Sequence, residues 1–430
     1  MKTVTHALAF LVSLIGAASS SAAALDAHSA SPSAPLNEAW TEQKTTASDG
    51  ASNTYYGTAA AVEGSTAVIG AFGDTNFTGA AYVLKKTDTL WTEVQKLTAD
   101  DGLGGDEFGY RAVLEGTTLI VTAFTATIDG VASQGAAYVF NHEAGTWVQA
   151  QKLLADDGAL FDNFGSAAAM DGDVAIVGAN GATIGSNPAQ GAAYVFKRAG
   201  ATWSQTQKLN TDDGASYDNF GIAAGLNGNT AFVSAPLAAI DGSNGQGAVY
   251  LFVLSNGEWT QMQKLVGSDG ASGDNFGMSL AFDGTTLLVG APAHANRGAV
   301  YAFTDVGGTW TESQILTADD GLNGDYFGQN VALKDGGALI AADIATIDGD
   351  TSRGSGYLFR FVGDTWVQAH KFIASDGTVD DFLGAAIAYD GATVILASPH
   401  PVIDGHSWQG AAYFYTQDIV FASGFESVAP

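Results

Sequence analysis

The stretch from Trp147 to Phe196, WVQAQKLLADDGALFDNFGSAAAMDGDVAIVGANGATIGSNPAQGAAYVF, carries the reading that decides the fold. Four short segments in it have strand character: Trp147 to Leu153, Gly165 to Met170, Asp173 to Gly178 and Ala192 to Phe196. They are short, they are bounded by Gly and Asp, and they include Val, Ile, Tyr, Phe and Trp. Asp171-Gly172, between the second and third, is a tight-hairpin signal, because both residues tolerate the positive φ that a two-residue turn demands. No amphipathic helical period of useful length is present.

The same pattern recurs along the chain. Seven of the eight tryptophans form a ladder, Trp40, Trp91, Trp147, Trp203, Trp259, Trp310 and Trp366, in steps of 51, 56, 56, 56, 51 and 56. A tyrosine ladder accompanies it: Tyr82, Tyr138, Tyr194, Tyr250, Tyr301, Tyr357 and Tyr413. Aromatic-Gly pairs recur at Tyr56, Phe108, Phe164, Phe220, Phe276 and Phe327, with Leu383-Gly384 in the seventh place. Fourteen residues after each comes a small-residue stop, such as Gly178-Ala179. Hairpin turns equivalent to Asp171-Gly172 stand at Glu63, Glu115, Asn227, Asp283, Asp335 and Asp390, each followed by Gly.

Four strands repeated seven times, with a period in the fifties, predict an all-β, seven-bladed β-propeller of four-stranded antiparallel blades. A linear β-solenoid is the alternative, but its coils are shorter and less hairpin-like. The chain opens on a Trp-type strand at Trp40 and ends on a Tyr-type strand at Tyr413. Pairing these ends completes 28 strands and closes the ring over residues 39–415. Trp40 to Lys44 is then the outer strand of the last blade. The Gly/Ala-rich strand after each aromatic-Gly pair lies innermost, where space is least.

Composition narrows the partners. The chain has 430 residues, 16 Lys+Arg against 45 Asp+Glu, and a formal net charge of −29. Nucleic acid and anionic membrane both select cationic surfaces, so neither is an expected partner. With no cysteine, disulfides, thiol catalysis and zinc-cysteine sites are excluded. Lys2, an apolar run from Ala7 to Ala18 and small residues up to Ala24 read as a signal peptide over 1–24, followed by a flexible leader over 25–38. The run is too short to span a bilayer. The expected localisation is therefore extracellular, cell-surface or periplasmic.

Phe-Gly followed by Gly-Ala-Pro is the signature of FG-GAP repeats, and Phe276-Gly277 with Gly290-Ala291-Pro292 resembles it best. Ser234-Ala235-Pro236 and Ala397-Ser398-Pro399 are partial copies, and the Gly-Ala-Ala-Tyr-Val-Phe of 135–140 and 191–196 is similar to the bacterial branch of such repeats. The resemblance implies the propeller of integrin α chains and an extracellular binding or adhesion role. It names no ligand, since function lives in sites grafted on folds. The integrin calcium loops, which carry several aspartates between the Phe-Gly and Gly-Ala-Pro strands, are not carried over. Here that connection is a tight turn with one or two carboxylates, and calcium takes six to eight oxygens. The tail over 416–430 holds Phe421-Ala-Ser-Gly-Phe-Glu426, similar to endings on some exported Gram-negative proteins, which implies a sorting or processing tag.

A second acidic element precedes each aromatic-Gly pair. Asp49, Asp101, Asp157, Asp213, Asp269, Asp320 and Asp376 are each followed by Gly. A second Asp follows five residues later at Asp106, Asp162, Asp218, Asp274, Asp325 and Asp381, with Thr54 in its place in the first unit. Turn chemistry explains such residues. The sharper reading is a weak calcium loop completed by carbonyls and water.

Loop lengths mark a face. The step from the stop to the Gly of Gly-Ala-Ala-Tyr is 13 residues in five units, 9 in the first and 8 in the fifth. In an up-and-down blade this connection and the Asp-Gly connection emerge together. That face collects Asp129, Asp241, Asp348, Asp350 and Asp404, and it is the expected binding face. Trp408 breaks the ladder beside His400 and His406, as a sugar- or metal-contact residue or a packed loop aromatic. The repeated Trp and Tyr residues are read as core. No Gly-x-Ser-x-Gly, His-Glu-x-x-His or phosphate-binding loop occurs. The expected function is a non-catalytic module that binds an extracellular protein or glycan. A polysaccharide-active hydrolase with carboxylates in the central channel and a structural envelope protein are the alternatives.

Overall fold

The computed structural model describes residues 39–417. The expected signal peptide, leader and most of the tail lie outside the described residues. Twenty-eight strands make seven four-stranded antiparallel sheets. In the third blade they are Phe164–Asp171, Val174–Ala179, Ala192–Ala199 and Thr202–Leu209. In six blades the four strands follow in chain order from the axis outward.

The last blade is completed from both ends of the propeller. Trp40–Thr45 pairs antiparallel with Ala411–Gln417, in register from Trp40 opposite Gln417 to Thr45 opposite Ala412. This hydrogen-bonded seam closes the ring as the Trp and Tyr ladders predict.

Each blade buries its aromatic residues against a neighbour. Phe164 meets Tyr194 and Phe196 edge-on at centroid separations of 5.6 and 5.9 Å. The cluster continues into Ile120, Val139 and Leu153 of the preceding blade. The same Phe–Tyr contact recurs at Phe108/Tyr138, Phe220/Tyr250, Phe276/Tyr301 and Phe327/Tyr357. Offset and edge-to-face rings add a geometric preference to the area they bury. The ladder tryptophans from Trp91 to Trp366 are buried, and Trp40 is half-buried.

The motif glycines have a steric cause. Gly221 has φ +97°, and a Cβ there would stand 2.3 Å from the Ala192 carbonyl oxygen. Gly191 has φ +91°, and its Cβ would stand 2.0 Å from the Phe220 oxygen. Phe-Gly and Gly-Ala-Ala are thus two sides of one backbone-to-backbone approach, bridged in parallel at Gly191 and Phe220.

Polar side chains bind blade to blade outside the core. Gln151 donates from Nε2 to the Trp203 carbonyl at 2.7 Å, and the Trp203 N–H donates to Gln151 Oε1 at 2.8 Å. Gln43, Gln95, Gln207, Gln263 and Gln314 make the same two-bond clasp to the next tryptophan. At the closing seam the position is His370, whose ring lies 6.2 Å from that of Trp40. On the hairpin face, Glu63 accepts from the Gly116 N–H, Glu115 from Gly172, Asp171 from Gly228 and Asp390 from Gly64. These acids belong to the turns, and each also caps a neighbouring turn.

Candidate binding face

The Asp-Gly connection of one blade and the variable connection of the preceding blade share a face and bond to each other. Phe161, Asn163 and Phe164 donate from their backbone N–H groups to the carbonyls of Ala132, Ser133 and Gln134 at 3.2, 3.0 and 2.9 Å. The longer variable loops fold by their own chemistry. Ile128 and Val131 exchange backbone hydrogen bonds across Asp129-Gly130, whose φ values are +49° and +85°. That is the two-residue turn that Asp-Gly favours. Asp241, Asp348 and Asp404 hold equivalent positive-φ positions. All four are exposed, whereas Asp350 is half-buried and lies 3.8 Å from Arg353.

In most units the paired aspartates take separate partners; only Asp269 and Asp274 share one, His294. Asp101 Oδ1 accepts from the Tyr138 hydroxyl at 3.0 Å, and Oδ2 meets Lys152 Nζ at 2.8 Å. Asp106 turns the other way, accepting from the Leu103 N–H at 2.8 Å and the Thr127 N–H at 3.1 Å. Asp157 takes Tyr194 and Lys208, Asp320 takes Tyr357 and Lys371, and Asp376 takes Tyr413 and Lys44. Asp213 pairs with Lys264. The second acids Asp162, Asp218, Asp274, Asp325 and Asp381 each accept from the N–H three residues earlier, at 2.6–2.8 Å. Among the described residues no three His, Asp or Glu side chains stand together as a metal cluster.

Five members of the first set and three of the second shift in opposite directions. Burial raises Asp49, Asp101, Asp157, Asp320 and Asp376, but their Lys and Tyr hydrogen bonds and the lysine charge outweigh it and hold them below their ordinary value. Asp162, Asp218 and Asp381 are raised, because burial exceeds the help of their backbone donors.

Two blades depart from the pattern, and each repairs it. In the first blade Thr54 holds the turn, and the shorter variable loop supplies Asp74, which is buried 2.8 Å from Lys96. In the fifth, Ile315 stands opposite Tyr301, where the other repeats place lysine. His294 from the short loop fills in, 2.8 Å from Asp274 and 3.6 Å from Asp269. The lysine ladder Lys44, Lys96, Lys152, Lys208, Lys264 and Lys371 follows the Trp ladder in the sequence. That period was the available signal for the Tyr–Asp–Lys bracing, which the acids alone did not show.

The blades converge on a central cavity of about 180 Å³. Ala59, Ala167, Ala223 and Ala386 line it, together with Arg111 and Asn330. No carboxylate is among its lining residues.

At the closing seam, Trp408 is 49% exposed and stacks on Tyr55 at 5.9 Å. His400 is half-buried beside Phe382 and Tyr55, and burial pulls its imidazolium below the ordinary value. His406 is exposed in the turn that starts at Ile403. The His400 ring lies 6.3 Å from that of Trp408, and Tyr55, which stacks on Trp408 as well, was not among the expected site residues.

These features define a class: a closed seven-bladed propeller with a regular framework and one face of variable loops. The FG-GAP repeat family model matches seven times, at residues 40–84, 91–140, 147–196, 203–252, 259–303, 310–359 and 366–415. The chain belongs to the FG-GAP repeat family, whose propellers commonly serve as binding or adhesion modules and are usually non-catalytic. No curated relative matches it.

Proposed function

We propose that the chain is an exported, non-catalytic binding module that presents its loop face to an extracellular protein or glycan. One observation carries this reading. The framework repeats around the ring, while the loop face varies in length and exposes large apolar side chains, among them Leu103, Phe161, Tyr217, Leu237, Val402 and Trp408. Apolar patches rimmed by polar groups are recognition surfaces. The central cavity supports a non-catalytic reading, because glycoside hydrolysis ordinarily needs a carboxylate pair and its lining has none. The aspartate ladders favour bracing and capping over calcium binding, since one ladder pairs with lysine and tyrosine and the other accepts backbone N–H groups.

The chain has no cysteine, so a single introduced one places a photo-crosslinker uniquely. Exposed Thr183→Cys on the loop face should capture extracellular protein or glycan, and Ala201→Cys on the hairpin face should not. Equal capture from both faces, or capture from Ala201→Cys alone, overturns the assignment.

A further inference from the structure

We propose that the aromatic arc at the closing seam, with the cavity beside it, is a binding site for a neutral polysaccharide chain. This rests on the binding-face reading above and names the ligand class for it.

The argument starts from backbone strain. At each seam a positive-φ residue of the variable loop meets a positive-φ residue of the next Asp-Gly loop. Ser133/Asn163, Ala189/Asn219 and Gly245/Asn275 are such pairs, each joined by a hydrogen bond from the second N–H to the first carbonyl. Small or amide side chains suit that conformation, whereas a bulky residue there is an outlier. At the closing seam the pair is Trp408 and Tyr55, with φ +55° and +54° and the same hydrogen bond at 2.9 Å. The flanking seams carry Phe77 on one side and Phe382 on the other, at φ +60° and +58°. Glu107 and Tyr326 also hold this position at other seams, so what sets the closing seam apart is that both of its positive-φ residues are aromatic, and such paired strain points to function.

The rings form a platform. Tyr55 stacks on Phe72 at 5.1 Å with an 18° interplanar angle, and on Trp408 at 5.9 Å. Phe72 and Phe77 lie 6.1 Å apart, also stacked. His400 joins the arc to Phe382 at 4.6 Å. Beside Phe77 the shortened loop of the first blade leaves a cavity of about 410 Å³. Ser52, Asn53, Thr75 and Asn76 line it with Asp74 and Lys96. This volume lies within the range of small-molecule sites, and its lining is mainly polar, with Phe77 as its one aromatic wall.

A pyranose has an apolar face of C–H bonds and a rim of hydroxyls. The rings suit the first, and the hydroxyl, amide and charged groups of the cavity suit the second. An arc crossing three seams fits a run of sugar units better than a single one. The formal charge of −29 selects against anionic chains.

The test is affinity electrophoresis of the secreted protein through gels containing soluble starch, laminarin, galactomannan or hydroxyethylcellulose, with polygalacturonate as the anionic arm. At least one neutral polymer should retard it. Trp408→Ala and Tyr55→Ala should each weaken that affinity at least tenfold. Trp408→Phe should retain most of it, and Phe361→Ala, an exposed ring at the hairpin-face end of its strand, should change it less than twofold. The polymer should also shield Trp408 from acrylamide quenching, which the buried ladder tryptophans escape. Equal melting temperatures exclude misfolding of the variants. Retardation by no neutral polymer, retardation by polygalacturonate alone, or indifference to the loss of both rings overturns the proposal. Loop-face crosslinks to protein that persist through such a result leave the binding-face reading standing and remove only the sugar.

Discussion

Asp343 follows the small-residue stop of the sixth blade, at the position Phe72 and Phe124 hold in the first two. Burial pushes its carboxyl up to about 6, against partial relief from its own and the Ile344 backbone N–H groups. A carboxyl raised on folding favours the native state while protonated, and that contribution is lost as pH rises through the folded value. Asp343→Asn should therefore raise Tm at pH 7 and change it little near pH 4. Asp49, Asp101, Asp157, Asp320 and Asp376 run the other way: their contribution is present above the ordinary carboxyl range and is lost as pH falls below it. Individually, each braced pair should be worth under about 1 kcal/mol, because the aspartates are roughly half exposed. His294 gives a sharper test of the bracing. His294→Ala should lower Tm, and adding Ile315→Lys should restore much of the loss, since lysine then stands opposite Tyr301 as in the other repeats.

At the scale of elements, blade contact rests on backbone approach and the glutamine clasp. Gly191→Ala meets both a positive φ and a carbonyl oxygen at 2.0 Å. It should destabilise by more than about 1 kcal/mol, read as a lower Tm or urea midpoint. Gln151→Leu removes two hydrogen bonds between outer strands and should cost about 1–3 kcal/mol. Ala201→Leu, at an exposed hairpin position, should be nearly silent. The tight turns form where the sequence implies, but only Asp335-Gly336 has positive φ at both residues, +50° and +70°; in the others the glycine alone takes it, as Gly172 does at +58°. The clasp and the turn-to-turn caps are less legible, because a glutamine or glutamate on an exposed-looking strand or turn does not name its partner 52 or 53 residues away.

The whole molecule is a ring that one strand closes. Deleting residues through Thr45 removes the partner of Ala411–Gln417 and the Lys44–Asp376 pair. It should lower Tm markedly and broaden the transition, because the last blade then presents an unpaired edge. Calcium and magnesium at equal ionic strength should shift Tm equally, through screening of the net negative charge rather than by binding. A calcium-specific rise would instead return the Asp-Gly loops to metal binding, by mass action on the folded state.

The sequence by itself determined the blade count, the strand order within a blade and the closing pair. Each depends on a period, and periods survive in one dimension: the Trp, Tyr and Phe-Gly ladders repeat because every blade solves the same packing problem. It also marked the variable face, because length differences collect in one connection. Only the tertiary structure decided which partners the aspartates meet and which aromatic residues come together at the seam. The Asp101 oxygens find Tyr138 and Lys152, 37 and 51 residues away, and this divides them from Asp106, five residues along the chain. Tyr55 and Trp408 stand at opposite ends of the propeller and meet only because the ring closes. A repeat fixes what all blades share, whereas a site at the seam is made of residues that differ from the repeat and meet only in space.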